Sequence, residues 1–194
     1  MKRSSDGFTL IEVLLAVTIL GLVMAPLSGA MFLLLRTNGA TSDRVSAAHD
    51  ELMLAAYWSG DVQSTTTISM TDATSCPAGS SGSTLVARLR WTDLDSANVT
   101  VTRVVAYWSV PSSATSDAQL VRQTCDDAGS TGSVALRSAV TVTHGLTSAG
   151  VSCFSSSGTD TTSAGCSPVA SARLTVSSGT SATPNVLTGR RRSA

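Results

Sequence analysis

The sequence predicts an α+β protein, in which one long apolar helix at the N-terminus is followed by an antiparallel β-rich region. Three observations predict this class. Residues Phe8 to Leu35 are almost all apolar, a helical repeat of apolar residues follows as far as Ser59, and short alternating segments fill the remainder. The length of 194 residues fits one ordinary domain with an appendage.

The composition argues against one broad class of function. Thirteen basic residues balance thirteen acidic residues, so the bulk charge does not suit a strongly basic nucleic-acid-binding protein. Aromatic residues make up only 4% of the chain, yet 42% of the residues are hydrophobic. The apolar residues are concentrated at the N-terminus, which indicates a membrane segment there.

The apolar N-terminal segment is long enough to cross a bilayer. As a helix, Phe8–Leu35 would be roughly 42 Å long, against ~30 Å for the hydrocarbon core. Lys2 and Arg3 precede it and only Arg36 follows, so the positive-inside rule predicts a cytoplasmic N-terminus. We therefore expect a single-pass protein of the cytoplasmic (inner) membrane. A cleavable signal peptide is the alternative, but its apolar core would be shorter.

Glu12 is the one ionisable residue within this segment. A carboxylate inside a membrane span costs about 2.5–3.5 kcal/mol on insertion scales and usually marks a function. Two explanations stay open. The side chain could extend to the inner interface, or it could pair with a free N-terminal amine of a neighbouring chain that begins at the same depth.

The segment Gly7–Val13, which reads GFTLIEV, resembles the N-terminal signature of type IV pilins and type II secretion pseudopilins. The resemblance implies that a prepilin peptidase cuts between Gly7 and Phe8 and then methylates the new amine of Phe8. It also implies that Glu12 pairs with the N-terminal amine of a neighbouring subunit during assembly. The implied fold is pilin-like, with the outer half of a long helix packed on a C-terminal antiparallel β-sheet domain.

Five parts are expected along the chain. They are a prepilin leader peptide (1–7), a transmembrane and filament-core helix (8–36), the outer half of that helix (37–61), an extracytoplasmic β-rich domain (62–180) and an Arg-rich C-terminal tail (181–194). The tail lacks periodicity, so we expect a solvated terminus there.

Two features of the helix are predicted from single residues. Pro26 would kink the helix or melt it locally. Two explanations stay open: a simple kink, in which Ser28 or a neighbour satisfies the carbonyl that Pro26 frees, or a segment that extends when subunits pack in a filament. The segment Thr37–Thr41 could break the helix. A helical pattern then runs from about Thr41 to Ser59, and Gly60 is the expected stop.

Candidate strands are recognised by alternating apolar residues between Gly-, Ser- and Thr-rich connectors, which favours an antiparallel meander. The order VVAYWSV…QLVRQT…VALRSAV resembles the sheet of minor pseudopilins, and Asp61-Val62-Gln63 after Tyr57-Trp58 resembles the helix end of J-like and W-like minor pilins. The candidates are Ser64–Met70, Thr84–Trp91, Asn98–Val110, Gln119–Thr124, Val134–Thr143, Val151–Phe154 and Pro168–Ser177.

An even number of cysteines in a region predicted to lie outside the membrane indicates disulfides. Three pairings are possible. We favour Cys153–Cys166, which closes a short Gly/Ser-rich loop, and this leaves Cys76–Cys125. Zinc is a weaker alternative because the sequence has no C-x-x-C pair.

Catalytic and cofactor motifs do not appear in the sequence, and the two histidines, His49 and His144, carry no recognisable pattern. We therefore expect a protein that is not an enzyme, with no catalytic residue, no cofactor and no metal. Asp93, Asp95 and the pair Asp126–Asp127 could bind calcium, but paired acids in turns are more often turn or capping residues.

The resemblance implies a structural subunit that leaves the membrane to join an extracytoplasmic filament. The first expectation is a minor pilin of a type IV pilus that contributes to adhesion, motility or DNA uptake. A minor pseudopilin of a type II secretion system is the alternative, and a membrane-tethered binding module or enzyme with a prepilin signal is the second. The expected partners are the prepilin peptidase, other pilin or pseudopilin subunits, the pilus assembly machinery and the cytoplasmic membrane, with nucleic acid left open.

Overall fold

One long helix precedes seven strands in the computed structural model. The model describes residues 9–71, 76, 81–94, 98–112, 117–127, 134–162, 166–167, 169–179 and 183–192. The elements are α1 (Leu10–Ser64), β1 (Thr67–Ser69), β2 (Thr84–Leu94), β3 (Thr100–Pro111), β4 (Ala118–Asp127), β5 (Val134–Phe154), β6 (Ser171–Ser178) and β7 (Asn185–Arg190). Between Ser46 and Ala47 the chain divides into two compact units. The predicted α+β class is confirmed.

Helix α1 has 55 residues and passes through every point where the sequence suggested a break. Pro26 lies inside it, and Ser28 Oγ donates to the carbonyl of Met24 at 2.9 Å rather than to the carbonyl that Pro26 frees, which belongs to Leu22. The Thr37 and Thr41 hydroxyls donate back to carbonyls of the preceding turn, at 2.9 Å each, so both residues are accommodated within the helix.

The helix also continues past the stop predicted at Gly60, as far as Ser64. Asp61 and Val62 lie beyond that glycine and both are buried. Because tertiary packing on this scale outweighs the helix propensity of one glycine, the helix ends later than its local sequence predicts.

The strands form one antiparallel sheet in the order β1-β2-β3-β4-β5-β6-β7, which is the predicted meander. Strand β5 has 21 residues and joins the two halves of the sheet, because it pairs with β4 up to Leu146 and with β6 from Leu146 onwards. Its pairing with β4 has three register shifts. Such bulges bend a strand and increase its twist, which curls the sheet.

The predicted strands differ most from the structure at β1 and β5. The first candidate, Ser64–Met70, shrinks to three residues because α1 takes its beginning. The candidates Val134–Thr143 and Val151–Phe154 are one strand, since Gly145 adopts a φ of 65° within β5 and lets the chain bend without leaving the sheet.

Strand β7 is the element that sequence patterns missed. It lies within 181–194, so the prediction of a tail without structure is wrong for residues 185–190. It is a short edge strand in which only Leu187 and Gly189 are not exposed. Six residues with two such positions give too weak an alternation to detect.

The main hydrophobic core lies between α1 and the sheet. Leu54, Trp58 and Val62 recur at every fourth position and are at most 2% exposed. They pack against buried residues of the strands, such as Leu89, Tyr107, Leu120 and Leu174. Burying each large apolar side chain contributes about 1.5–3 kcal/mol, so this seam holds the last turns of the helix on the sheet.

A smaller core covers the opposite face of β3 and β4. It contains Val104, Ala106 and Trp108 together with Cys76 and Cys125. Tyr107 and Trp108 therefore pack into cores on opposite faces of one strand, because neighbouring residues of a strand point to opposite sides.

Gly189 of β7 lies where the helix and the sheet approach most closely. A Cβ atom at this position would be 2.6 Å from Val62 Cβ. We predict that Gly189→Ala lowers the free energy of unfolding by about 1–3 kcal/mol, as overpacking of a core typically does.

Gly150→Ala is the matched control, since a Cβ there meets no atom within 4 Å and Gly150 also lies in a strand. Unfolding of the full chain in non-ionic detergent, followed by tryptophan fluorescence, measures both variants. Equal stability of the two variants would contradict the close approach of β7 to α1.

Candidate functional site

The first part of α1 has an apolar surface on all sides. Between Leu10 and Leu35 the large hydrophobic side chains are 48–83% exposed. The most apolar 18-residue window of the helix has a mean hydropathy of 2.4, which is apolar enough to cross a membrane. A helix that is hydrophobic on every side requires lipid or other helices around it.

Glu12 is the one charged residue of this apolar surface, and it lies in the first turn of α1. Its backbone N–H donates to the carbonyl of Thr9 at 3.0 Å, which starts the helix. The side chain is exposed, and within residues 9–71 and the other described segments it has no ion-pair partner. A carboxylate in the first turn interacts favourably with the helix dipole, but it stays available to an external cation. Gly7 and Phe8 lie outside the described residues.

A buried polar cluster lies at the C-terminal end of α1. Asp61 accepts two hydrogen bonds from Arg122 of β4, from Nη2 to Oδ1 at 2.7 Å and from Nε to Oδ2 at 2.8 Å. The Tyr107 hydroxyl of β3 donates to Asp61 Oδ2 at 2.6 Å. This bidentate geometry is the strongest form of an ion pair between arginine and a carboxylate. The cluster ties α1 to the two central strands.

Neighbouring aromatic rings enclose this cluster. The Arg122 guanidinium lies 4.7 Å from the centre of the Tyr57 ring, a cation–π contact. Trp58 meets Tyr107 edge to face, with ring centres 5.4 Å apart, and its indole N–H donates to the carbonyl of Ala172 at 3.4 Å. These contacts therefore link α1 to β3, β4 and β6 in one region of the sheet.

The protonation states of the cluster follow from its burial and its charges. Burial raises the pKa of the Tyr107 hydroxyl, and the neighbouring Asp61 carboxylate raises it further, so the phenol stays protonated and donates. Burial alone lowers the pKa of Arg122, but its bonds to Asp61 outweigh that effect and the pKa is raised. Tyr107 and Arg122 therefore both act as hydrogen-bond donors to Asp61.

Sequence analysis did not find this pairing. Asp61 stands in the predicted outer half of the helix and Arg122 in a predicted strand, and nothing in the sequence indicates that the two are partners. The one usable signal is that each charged residue falls beside apolar core positions, which is costly without a partner. Only the fold shows that they are partners for each other.

Both disulfides join the cysteine pairs that the sequence favours. Cys76–Cys125 has a Cα–Cα distance of 5.9 Å and Cys153–Cys166 one of 5.6 Å. The first connects the chain before β2 to β4, and the second connects the end of β5 to the chain before β6. They stabilise the β-rich unit on both faces of the sheet.

The described aspartates that could have bound calcium form ion pairs with arginines instead. Arg103 Nε lies 2.8 Å from Asp93 Oδ2, and Asp126 is bound by both Arg103 and Arg137. Asp127 pairs with Arg90, while Asp95 lies outside the described residues. Across the part of the chain that the structure describes, histidine, cysteine and acidic side chains form no cluster of three or more that could hold a metal ion.

The two histidines differ in their surroundings. Asp50 Oδ2 of α1 lies 3.0 Å from His144 Nδ1 and accepts from the backbone N–H of His144 at 2.9 Å. This contact ties α1 to the bend of β5 near Gly145. His49 is exposed on the helix.

One comparison with known families gives a match. The family model described as the prokaryotic N-terminal methylation motif matches residues 2–28. This range includes the predicted cleavage position, Glu12 and much of the apolar surface of α1. Together with the helix-on-sheet fold, the match supports the resemblance of the chain to precursors of type IV pilins and pseudopilins. No curated protein and no solved structure matches the chain significantly.

The Asp61–Arg122 pair gives a stability prediction. Asp61→Asn leaves the Arg122 charge buried without its partner, so we predict a loss of about 3–5 kcal/mol of unfolding free energy. Asp93→Asn is the matched control, because Asp93 is half exposed and its pair with Arg103 should contribute only about 0–1 kcal/mol.

Denaturant unfolding of the full chain in non-ionic detergent measures both variants, with Trp58 fluorescence as the probe of the core. If Asp61→Asn were no more destabilising than Asp93→Asn, the cluster would not hold the helix on the sheet.

Proposed function

We propose that the chain is a minor subunit of a type IV pilus, processed between Gly7 and Phe8 and methylated at Phe8 before assembly. The observation that supports this most strongly is the methylation motif over residues 2–28, joined without a break to an apolar helix that continues onto a β-rich unit. The role is structural, and it contributes to adhesion, motility or DNA uptake by the pilus.

Processing produces the cation that Glu12 lacks. Cleavage after Gly7 removes Lys2 and Arg3 and creates an amine at Phe8. The apolar segment remains in the cytoplasmic membrane, with the cleaved end on the cytoplasmic side and the β-rich unit outside. When another subunit approaches, its amine can pair with Glu12 at the same depth. Both charges lose their contact with water when they pair. A stagger between subunits that leaves either charge buried without its partner is therefore unfavourable.

The pair therefore sets the stagger between subunits more than it adds stability. The apolar side chains from Leu10 to Leu35 then exchange lipid contacts for contacts with neighbouring helices. Small residues such as Gly21 and Gly29, which have open space around them, suit close helix packing. An assembly machinery that extracts the subunit completes the exchange.

A structural role also agrees with the charged groups of the β-rich unit. The carboxylates of Asp61, Asp93 and Asp126 are each bound by an arginine in the described residues. We propose on this basis that the protein is not an enzyme. A membrane-tethered enzyme or binding module with the same signal would instead present free polar groups that converge on a pocket.

The second candidate is a minor pseudopilin of a type II secretion system. The same N-terminal motif serves both systems, and the order VVAYWSV…QLVRQT…VALRSAV resembles the sheet of minor pseudopilins. Deletion of the gene separates the two roles: loss of surface pili supports the first candidate, and loss of protein secretion with pili intact supports the second.

Processing is tested at Gly7. Gly7→Val should abolish cleavage, so that the full-length, unmethylated chain accumulates in the membrane, because the peptidase cuts directly after this residue in the proposed precursor. Gly21→Ala is the control, since Gly21 lies in α1 beyond the proposed cleavage position and a Cβ there meets no neighbouring atom. Mobility of the membrane-bound protein on denaturing gels reports the result. Normal processing of Gly7→Val would place the cleavage elsewhere.

Assembly is tested at Glu12. Glu12→Ala should be processed normally but should appear in sheared filaments at about one tenth of the wild-type level or less, as expected for an assembly free energy weakened by roughly 1.4 kcal/mol. Glu51→Ala, an exposed glutamate outside the apolar segment, is the control. Wild-type incorporation of Glu12→Ala would contradict the pairing.

A further inference from the structure

Strand β7 forms an outer edge of the sheet. It pairs with β6 over six residues with no register shift, and it contains no proline. Natural proteins usually block an open edge with bulges, charges, proline or very short strands. Strand β1, at the opposite edge of the sheet, has only three residues. The stretch of β5 that β6 leaves free carries the exposed Arg137.

The outer side of β7 is accessible. Val186, Thr188 and Arg190 are exposed, with 51% exposure at Val186. Among the described strands none pairs with β7 except β6. The backbone N–H and C=O groups that point away from β6 are therefore available to hydrogen-bond an added strand.

Three arginines lie on one face beside this edge. Ser171 is opposite Arg190 and Arg173 is opposite Thr188, so Arg173 and Arg190 are diagonal neighbours at about 7–8 Å. The pairing continues past the strand, since the N–H of Arg191 donates to the carbonyl of Ala170 at 2.9 Å. Alternation then directs Arg192 to the same face as Arg190.

These arginines lack the carboxylate partners that four other sheet arginines have. Arg90, Arg103, Arg122 and Arg137 each form an ion pair with an aspartate. Within the described chain, no acidic group lies at salt-bridge distance from the three arginines beside β7. The Arg173 guanidinium contacts the Phe154 ring at 5.0 Å, and Asp160 is the acid whose charge interacts with it.

We propose that β7 binds an extended acidic polypeptide segment of another protein, which adds as a further strand to the sheet. An open edge offers main-chain hydrogen bonds, which an extended polypeptide can match along its whole length. The arginines at one end of the edge select a segment with carboxylates there, through charge-assisted bonds. A nucleic acid would use the arginines but not the edge, so the open edge favours a polypeptide. This interaction goes beyond the proposed pilus role and does not depend on it.

The test uses the full chain in non-ionic detergent and a short fluorescent peptide as the probe. The peptide alternates threonine and valine and carries two aspartates near its N-terminus, which an antiparallel strand would place beside Arg190. Anisotropy measures its affinity. A second peptide has the same sequence with alternate backbone nitrogens methylated, which removes main-chain donors, and a third has lysines in place of the aspartates.

Methylation of the peptide backbone, lysine in place of aspartate, and the protein variant R190E/R192E should each weaken binding by about tenfold or more. Arg44→Glu, an exposed arginine on α1, should leave the affinity unchanged. Hydrogen exchange should slow for the amides of residues 185–190 when the acidic peptide binds, but not for residues 135–139 on the free side of β5.

Three results would overturn the proposal. The first is no binding of the acidic peptide. The second is binding that survives backbone methylation and is displaced by duplex DNA, which would show a plain anion-binding surface. The third is self-association of the chain that R190E/R192E abolishes, because the occupant of the edge would then be a second copy.

Discussion

Helix α1 must bury apolar side chains in two different environments, and the rest of the molecule depends on this constraint. From Leu10 to Leu35 its side chains are apolar on every side and exposed. In the stretch from Leu54 to Val62 the buried hydrophobic side chains recur at every fourth position. These residues, Leu54, Trp58 and Val62, belong to the core of the β-rich unit. One continuous helix thus carries a segment that water cannot solvate and a segment that a sheet covers. The first segment has to enter a membrane or a bundle of equivalent helices.

The helix is secured to the sheet by polar and apolar contacts together. Trp58 and Val62 provide the apolar seam, while Asp61 is bound by Arg122 and Tyr107. A buried ion pair adds little net stability over a well-packed apolar contact, but it does not tolerate a shifted register, since each charge must meet its partner. We interpret the cluster as the contact that fixes where along the helix the sheet begins. Glu12 would play the same kind of role between subunits, where its partner comes from another chain.

Much of this architecture follows from the sequence alone. The apolar run, the alternation of residues such as Leu85–Trp91 and the even cysteine count predict the helix, the meander and the two disulfides. The end of the helix and strand β7 were not predictable in this way. Gly60 has the local properties of a helix stop, but the burial of Asp61 and Val62 overrides them. In β7 the decisive residue is Gly189, whose role appears only when Val62 of a distant element lies against it. The pairing of Asp61 with Arg122 was hidden for the same reason, because it joins positions 61 residues apart in sequence.

The most direct test of the precursor assignment is the N-terminal mass of the wild-type protein, isolated both from membranes and from sheared filaments. The account predicts a chain that begins at Phe8 and carries one methyl group on its amine in both preparations. A chain in the membrane that still contains residues 1–7, or a processed chain that is released without membrane attachment or filament incorporation, would contradict it.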